Sequence, residues 1–403
     1  MQLPLADDNK KILLTSIVTG GHCMAKGHFN GADLYIKCLL KKLKEENFEV
    51  YIVLLNFWHN QIDKSMFDHP AELIFTANVQ LSQRNYLDKF FATGLMSAYT
   101  MSQEIEIQSY DLFNGLIEKY HIKNIVIDYF YSAVFLQHIN KFTINKTIMV
   151  LNNEANYYND VAFQYANEKK SRLTSLFKNY LMRRLEKRIY NSFDRIIAIG
   201  SADIPAYLPP SKTRVMTLYI DESAQKWQYK NNNTLFFIGS FDHYPNRLAV
   251  NYLLEKIVPR IATIRPDYKF VILGTSDEQI VPEYRYPNVQ FFGPGTPETA
   301  KSLFLSANLM LVPIENSFGQ KMKIAEAVSY GTPFLASAQS MLGFPYLSEL
   351  PYAPLESPEE SVKLIVELMD TPAKCRELSD RILSLSRSFI NLQKNICQQC
   401  FLL

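Results

Sequence analysis

The sequence predicts an α/β protein made of two doubly wound parallel-sheet domains, and three observations predict it. Short, continuous, β-branched apolar runs alternate with longer amphipathic stretches, the pattern of strands buried on both faces and joined by crossover helices. The alternation comes as two series, one before residue 201 and one after residue 233. The 403 residues suffice for two or three cores at roughly 100–200 residues per domain.

In the first series, ILLTSIV (12–18), VYIVLL (50–55), NIVID (124–128), TIMVL (147–151) and RIIAIG (195–200) read as buried strands. Helical patterns over 32–45, 103–120, 131–140 and 172–192 separate them. The segment 201–233 carries Pro205, Pro209 and Pro210, a short strand at 213–218 and a polar run ending in three Asn, so the domain boundary falls there. The second series is LFFIG (235–239), KFVILG (269–274), VQFFG (289–293), LMLVP (309–313) and PFLAS (333–337), followed by helices at 357–369 and 372–390. The expected division is 1–208 and 209–390, with the amphipathic tail 391–403 packing back on the first domain. Ligands of such sheets sit at the carboxyl ends of the strands, and a cleft where two such domains face each other is expected.

Composition narrows the function. Lys plus Arg number 42 against 40 Asp plus Glu, a net charge of +2, which gives no support for nucleic-acid binding. Hydrophobic residues at 47% and charged residues at 20% exclude wholesale disorder. The five cysteines are too scattered for a disulfide framework, and Cys397-x-x-Cys400 lacks a second pair to complete a zinc site, so these are read as incidental thiols. The opening MQLPLADDNKK has no basic-then-apolar order, and the charge-free stretch 327–348 is broken by Gly331, Pro333, Gly343 and Pro345. A reducing, cytoplasmic setting is expected, without a membrane span.

Gly20 and Gly21 follow the first strand, and Gly31 opens the first helix. Glycine lets a backbone approach a ligand, and a helix start offers free N–H groups to an anion. Neither spacing is the G-x-G-x-x-G of a dinucleotide site, and there is no P-loop motif. In the second series, Gly239-Ser240 ends a strand and Pro245-Asn246 opens a helix. Downstream, Lys321 stands at a helix start, where a cation gains nothing from the helix dipole unless an anion shares that end. Lys323 and Glu326 are spaced i, i+3 on one helix face. Taken alone, that pair is equally a surface ion pair of little consequence. Among the histidines, His22, His28 and His243 fall in loops beside these motifs, and no His or acidic cluster argues for a metal.

The segments F-x-G-S-F-x-x-x-P-N (237–246) and G-x-K-x-K-x-x-E-A-x-x-x-G-x-P (319–333), with VILG (271–274) and FFGPG (291–295) between them, resemble the retaining nucleotide-sugar glycosyltransferases of family 4, the group 1 glycosyl transferases of GT-B fold. Weaker, colinear matches lie at 29–53 and 183–203. The resemblance implies transfer of a sugar from a UDP- or GDP-sugar to a hydroxyl of a glycan, lipid-linked saccharide or protein, with retention, without a metal and with no cofactor beyond the donor. It implies that Glu326 takes the donor ribose hydroxyls and that Lys321, with Gln320 beside it, meets the diphosphate. Gly239, Ser240 and Asn246 would contact the same phosphates, and Gly20, Gly21 and Gly31 would approach them from the other domain. Phe292 and Gly293 would lie near the base, and Asn152 near the reaction centre.

The departures from that pattern matter. Phe318 stands where the first glutamate of an E-x7-E pair is usual, and Ser240 and Asn246 stand in place of Arg and Lys. They keep a second reading open, a non-catalytic GT-B subunit that binds a partner or glycan. An epimerase or phosphorylase on the same fold is the remaining enzyme alternative. The basic run 169–188 is a solvated helix face or a contact with an anionic membrane surface.

Overall fold

The computed structural model describes residues 8–17, 31–56, 62–78, 107–128, 130, 132–133, 144–151, 172–315 and 319–402. It contains two compact units. Residues up to Leu218 together with Asn395–Leu403 form the first, and Tyr219–Lys394 the second.

The first unit is a parallel sheet of β1 (Lys11–Ile17), β2 (Glu49–Asn56), β3 (Ile74–Asn78), β4 (Asn124–Ile127), β5 (Asn145–Val150), β6 (Arg195–Ala198) and β7 (Thr213–Val215), in the order β3-β2-β1-β4-β5-β6-β7. Helices α1 (Gly31–Glu45), α2 (Ile107–Tyr120) and α3 (Arg172–Asn191) lie between strands in the sequence. Leu13, Val53, Ile125, Ile148 and Ile196 are fully buried with Phe113 of α2 and Tyr190 of α3, which explains why these strands read as unbroken apolar runs. The order reverses between β1 and β4.

The second sheet runs β10-β9-β8-β11-β12, all parallel, from β8 (Thr234–Ile238), β9 (Lys269–Leu273), β10 (Val289–Phe292), β11 (Leu309–Val312) and β12 (Phe334–Ala336). Its helices are α4 (Tyr244–Tyr252), which continues through a π-turn into α5 (Val258–Ile264), then α6 (Pro297–Ser306), α7 (Met322–Tyr330), α8 (Ala338–Met341), α9 (Pro358–Met369) and α10 (Pro372–Leu392). The chain winds outward through β8, β9 and β10, then returns to the other side of β8 with β11. The crossing point lies between β8 and β11.

The division differs from the expected 208/209 boundary. Thr213–Val215, read as a linker strand, pairs with β6, and the Met216 N–H donates to Ala198 O at 2.8 Å, so this stretch stays with the first sheet. At the other end α10 runs on to Leu392, beyond the expected 390. A short helix, α11 (Ile396–Phe401), then lies on the first unit. The Glu46 carboxylate accepts from the backbone N–H groups of Cys397 (2.9 Å) and Gln398 (2.8 Å), satisfying orphan donors at the start of α11. Phe401 meets Phe48 edge-on at 6.4 Å. Cys397 and Cys400 are buried free thiols, with Cys400 pushed up to about 11 by burial and by nearby Glu46. Such thiols are unreactive.

Candidate functional site

In a doubly wound sheet, ligands bind outside the carboxyl ends of the strands where the strand order reverses. In the second unit that point lies beyond Ile238, and the backbone there is bare. At Gly239 a Cβ would stand 2.7 Å from the Asn246 side chain. Gly274, just past β9, has φ +96°, and a Cβ on it would come within 2.5 Å of Gly239 O. Both positions therefore require glycine. The Gly239 N–H donates to Leu273 O (2.9 Å) and the Gly274 N–H to Phe292 O (2.9 Å), lacing the ends of β8, β9 and β10 together.

Two helices begin beside this turn. Asn246 is buried in the first turn of α4, where Pro245 presets the backbone. Its Nδ2 donates to Ser240 O (3.0 Å), and its Oδ1 accepts from the Lys323 ammonium of α7 (2.9 Å). Lys323 also lies over the Phe237 ring, 4.2 Å from the centroid. Lys321 is the N-cap of α7 and its ammonium donates to Gly319 O at 2.6 Å. Neither helix has an acid in its first turn. The start of α4 and Lys323 in the first turn of α7 thus meet through Asn246 beside one loop, with the Lys321 charge nearby, an arrangement that favours anions.

The electrostatics follow from crowding. Desolvation first, and then the Lys321 charge, pull the Lys323 ammonium down to about 7, while Glu326 opposes the shift. Burial pushes the Glu326 carboxyl up to about 7, and Lys323 pulls it partly back. His243 reaches the surface, yet the protein around it first, and then Lys323 and Lys321, lower its imidazole to about 4. In all three groups burial is the leading cause, and the Lys323–Glu326 attraction works against the shifts of both partners.

Of the residues singled out from the sequence, Gly239, Ser240, Asn246, Lys321 and Glu326 lie in or beside this cluster. Gln320 is buried in the loop that leads into α7. Gly293 reaches the neighbourhood through its carbonyl, which accepts from the Gly274 N–H at 3.0 Å. The Phe292 ring lines a different place, a shallow groove of about 520 Å³ against α6 with Thr234, Glu298 and Thr299. Gly31 is the first residue of α1. Gly20, Gly21, Asn152, Phe318, His22 and His28 lie outside the described residues. Among the described residues no His, Cys, Asp and Glu group is arranged to hold a metal ion. No described helix is long and apolar enough to cross a membrane.

The first unit holds a residue that the sequence reading passed over. Asp128 follows β4 directly, at the reversal between β1 and β4, and is buried. Desolvation raises its carboxyl to about 7 against a hydrogen bond from Ser16. Its Oδ1, Thr15 Oγ1 and Ser132 Oγ are all buried and have no hydrogen-bond partner among the described residues. The signal was present, an acid directly after the apolar Ile125, Val126 and Ile127 of β4.

Two Rossmann-like parallel sheets, with the glycine turn of the second at its reversal point, define the GT-B fold. Residues 232–370 match the family described as glycosyl transferases group 1, so the resemblance seen in the motifs stands, anchored in the second unit. Among solved structures, sucrose-phosphate synthase of Thermosynechococcus elongatus aligns with TM-score 0.67 at 18% identity, over 96% of this chain and 98% of that one. TarM of S. aureus, in complex with fondaparinux, α-GlcNAc-glycerol and UDP, aligns with TM-score 0.62 at 10% identity, over 95% and 99%. Anabaena HepE, in complex with UDP and glucose, aligns with TM-score 0.57 at 12% identity, over 96% and 98%. No curated protein sequence matches the chain.

Proposed function

We propose that the protein is a glycosyltransferase that moves a sugar from a nucleoside diphosphate donor, UDP-linked in the first instance, to an acceptor hydroxyl. The observation that carries this reading is the junction of Gly239, Gly274, Asn246 and Lys323 with the starts of α4 and α7. In sugar transfer, negative charge grows on the departing diphosphate as the anomeric carbon becomes cationic. Helix dipoles and an ammonium fixed in advance stabilise that charge without reorganising. Glu326, when ionised, has the acceptor capacity to take two vicinal ribose hydroxyls. The UDP complexes of the Anabaena and S. aureus proteins favour UDP over GDP.

Retention of anomeric configuration and independence of metal are part of the proposal and rest on the family resemblance. So does the acceptor class: a glycan, a lipid-linked saccharide or a protein. The exposed Arg183, Arg184, Lys187 and Arg188 of α3 support contact with an anionic membrane surface.

The test is a thermal-shift comparison of UDP, GDP, ADP and CMP, followed by a donor-hydrolysis assay with and without EDTA. A ligand that binds only the folded state raises its stability by about 2.7 kcal/mol at a hundred times Kd. Stabilisation by UDP with release of free sugar is expected. Stabilisation without turnover would favour the binding subunit that Phe318 and Ser240 keep in view, and no shift with any nucleotide would remove the proposal.

A further inference from the structure

The two lysines of α7 are not equivalent, and their difference assigns them different work. Lys321 caps the helix and folds its ammonium back onto Gly319 O. Lys323 reaches across to α4, so that one ammonium ties the first turn of α7 to the first turn of α4, whose Asn246 bonds Ser240 O. It is half-buried, stands over an aromatic face, and its hydrogen-bond partner is a neutral amide. No described carboxylate lies within ion-pair distance of it. Asn246 in turn is fixed by its bond to Ser240 O. A cation held this way, hydrogen-bonded to an amide, with Lys321 nearby and Glu326 acting on it only from beyond ion-pair distance, is short of a directly paired counter-ion.

Resting on the reading of the site as a diphosphate site, we propose that Lys323, rather than Lys321, is the cation that meets the phosphate oxygens, that Asn246 positions it for them, and that their arrival draws a proton onto it. The charged and titratable groups that face Lys323 are Lys321 and Glu326 on α7 and His243 from the loop before α4. The first opposes its protonation and the second favours it. With the ammonium lowered to about 7, the empty site holds the lysine partly neutral near pH 7.5. A phosphate dianion beside it restores the charge, and the proton comes from solvent. Asn246 suits the positioning role because its amide accepts from the lysine without competing as an anion. A carboxylate there would neutralise the lysine permanently.

The experiment is isothermal titration of UDP, and separately of inorganic pyrophosphate, at pH 7.5 in HEPES and in Tris, whose ionisation enthalpies differ. The wild-type protein is compared with Lys323→Met, Lys321→Met and Asn246→Leu. Expected for the wild type is a binding enthalpy that changes with buffer in the sense of proton uptake. Lys323→Met should weaken binding about tenfold more than Lys321→Met does, in line with a charge-assisted hydrogen bond, and should abolish the buffer dependence. Asn246→Leu should weaken binding while leaving proton uptake in place. Equal affinity in Lys323→Met and the wild type, or a larger loss in Lys321→Met, overturns the assignment. Identical wild-type heats in the two buffers overturn the proton coupling, and that measurement needs no variant to fold. If pyrophosphate binds in a Lys323-dependent way while no nucleotide binds, the nucleotide-sugar reading falls and this inference stands. If the wild type binds UDP and Lys323→Met binds it equally well, the inference falls alone, and if the wild type binds neither ligand, both fall.

Discussion

The two sheets reverse their strand order in the same way and present opposite chemistry at the reversal. In the first unit the place beyond β1 and β4 holds a buried carboxyl, Asp128, hydrogen-bonded by Ser16, with its N–H donating to Thr15 O of β1. In the second unit the place beyond β8 holds bare glycine backbone, two helix starts and two lysines. Topology sets the location of a site in this class of sheet, because that is where adjacent crossovers part. The residues set only the sign of its charge. For stability, the contrast predicts that backbone geometry matters most in the second unit and protonation most in the first.

The largest effect should come from Gly274→Ala. A Cβ 2.5 Å from Gly239 O, on a residue at φ +96°, forces either the β8 turn or the β9 end to move. Strain at such positions costs about 1–3 kcal/mol, and the steric overlap adds to it, so a loss of about 3 kcal/mol is expected. Gly293→Ala, where the nearest atom would be 3.8 Å away, should cost well under about 1 kcal/mol. Urea unfolding of both variants tests the pair. Similar losses would mean that the turn has no special geometry.

Asp128→Asn comes next and acts through pH. The carboxyl titrates at 3.8 when unfolded and at about 7 in the folded protein. Between those values the folded state holds a proton that the unfolded state has released, so stability falls as pH rises from 4 to 7 and levels off above. Asparagine is neutral throughout. The variant should therefore match the wild type near pH 4 and exceed it by roughly 1–3 kcal/mol at pH 8. Melting temperatures across that range decide it, and a variant less stable than the wild type at pH 8 would mean that the charged form is held by a partner.

How much of this was legible depends on whether the information was local. Strands β1, β2, β8 and β11 could be read directly because burial on both faces leaves continuous apolar runs. Strand β3 was not, since Ile74–Asn78 lies at the sheet's edge with Phe75 and Thr76 only partly covered. Gly239, Asn246, Lys321 and Glu326 were marked by their motifs. The distinction between Lys321 and Lys323 was not, because helix positions two apart point to different sides. Which side matters is decided by Asn246, 77 residues away in sequence. Asp128 looked like the end of a strand until β1 was placed beside it.

A smaller effect is expected where the chain's last helix meets the first unit. The Glu46 carboxylate receives two main-chain N–H groups of α11, the geometry of an N-cap supplied from elsewhere in the fold. Glu46→Gln keeps one acceptor oxygen and should cost about 1 kcal/mol, whereas Glu46→Ala strands both donors and should cost about 2 kcal/mol. Hydrogen exchange at Cys397 and Gln398 should quicken in the same order. Arg387→Ala is the natural comparison, since it breaks a bidentate bond to Glu222 in the second unit. That arginine is more than half exposed, so solvent already screens the pair and the loss should stay under about 1 kcal/mol. If Arg387→Ala proved the costlier change, buried main-chain capping would not be what holds α11 to the first unit.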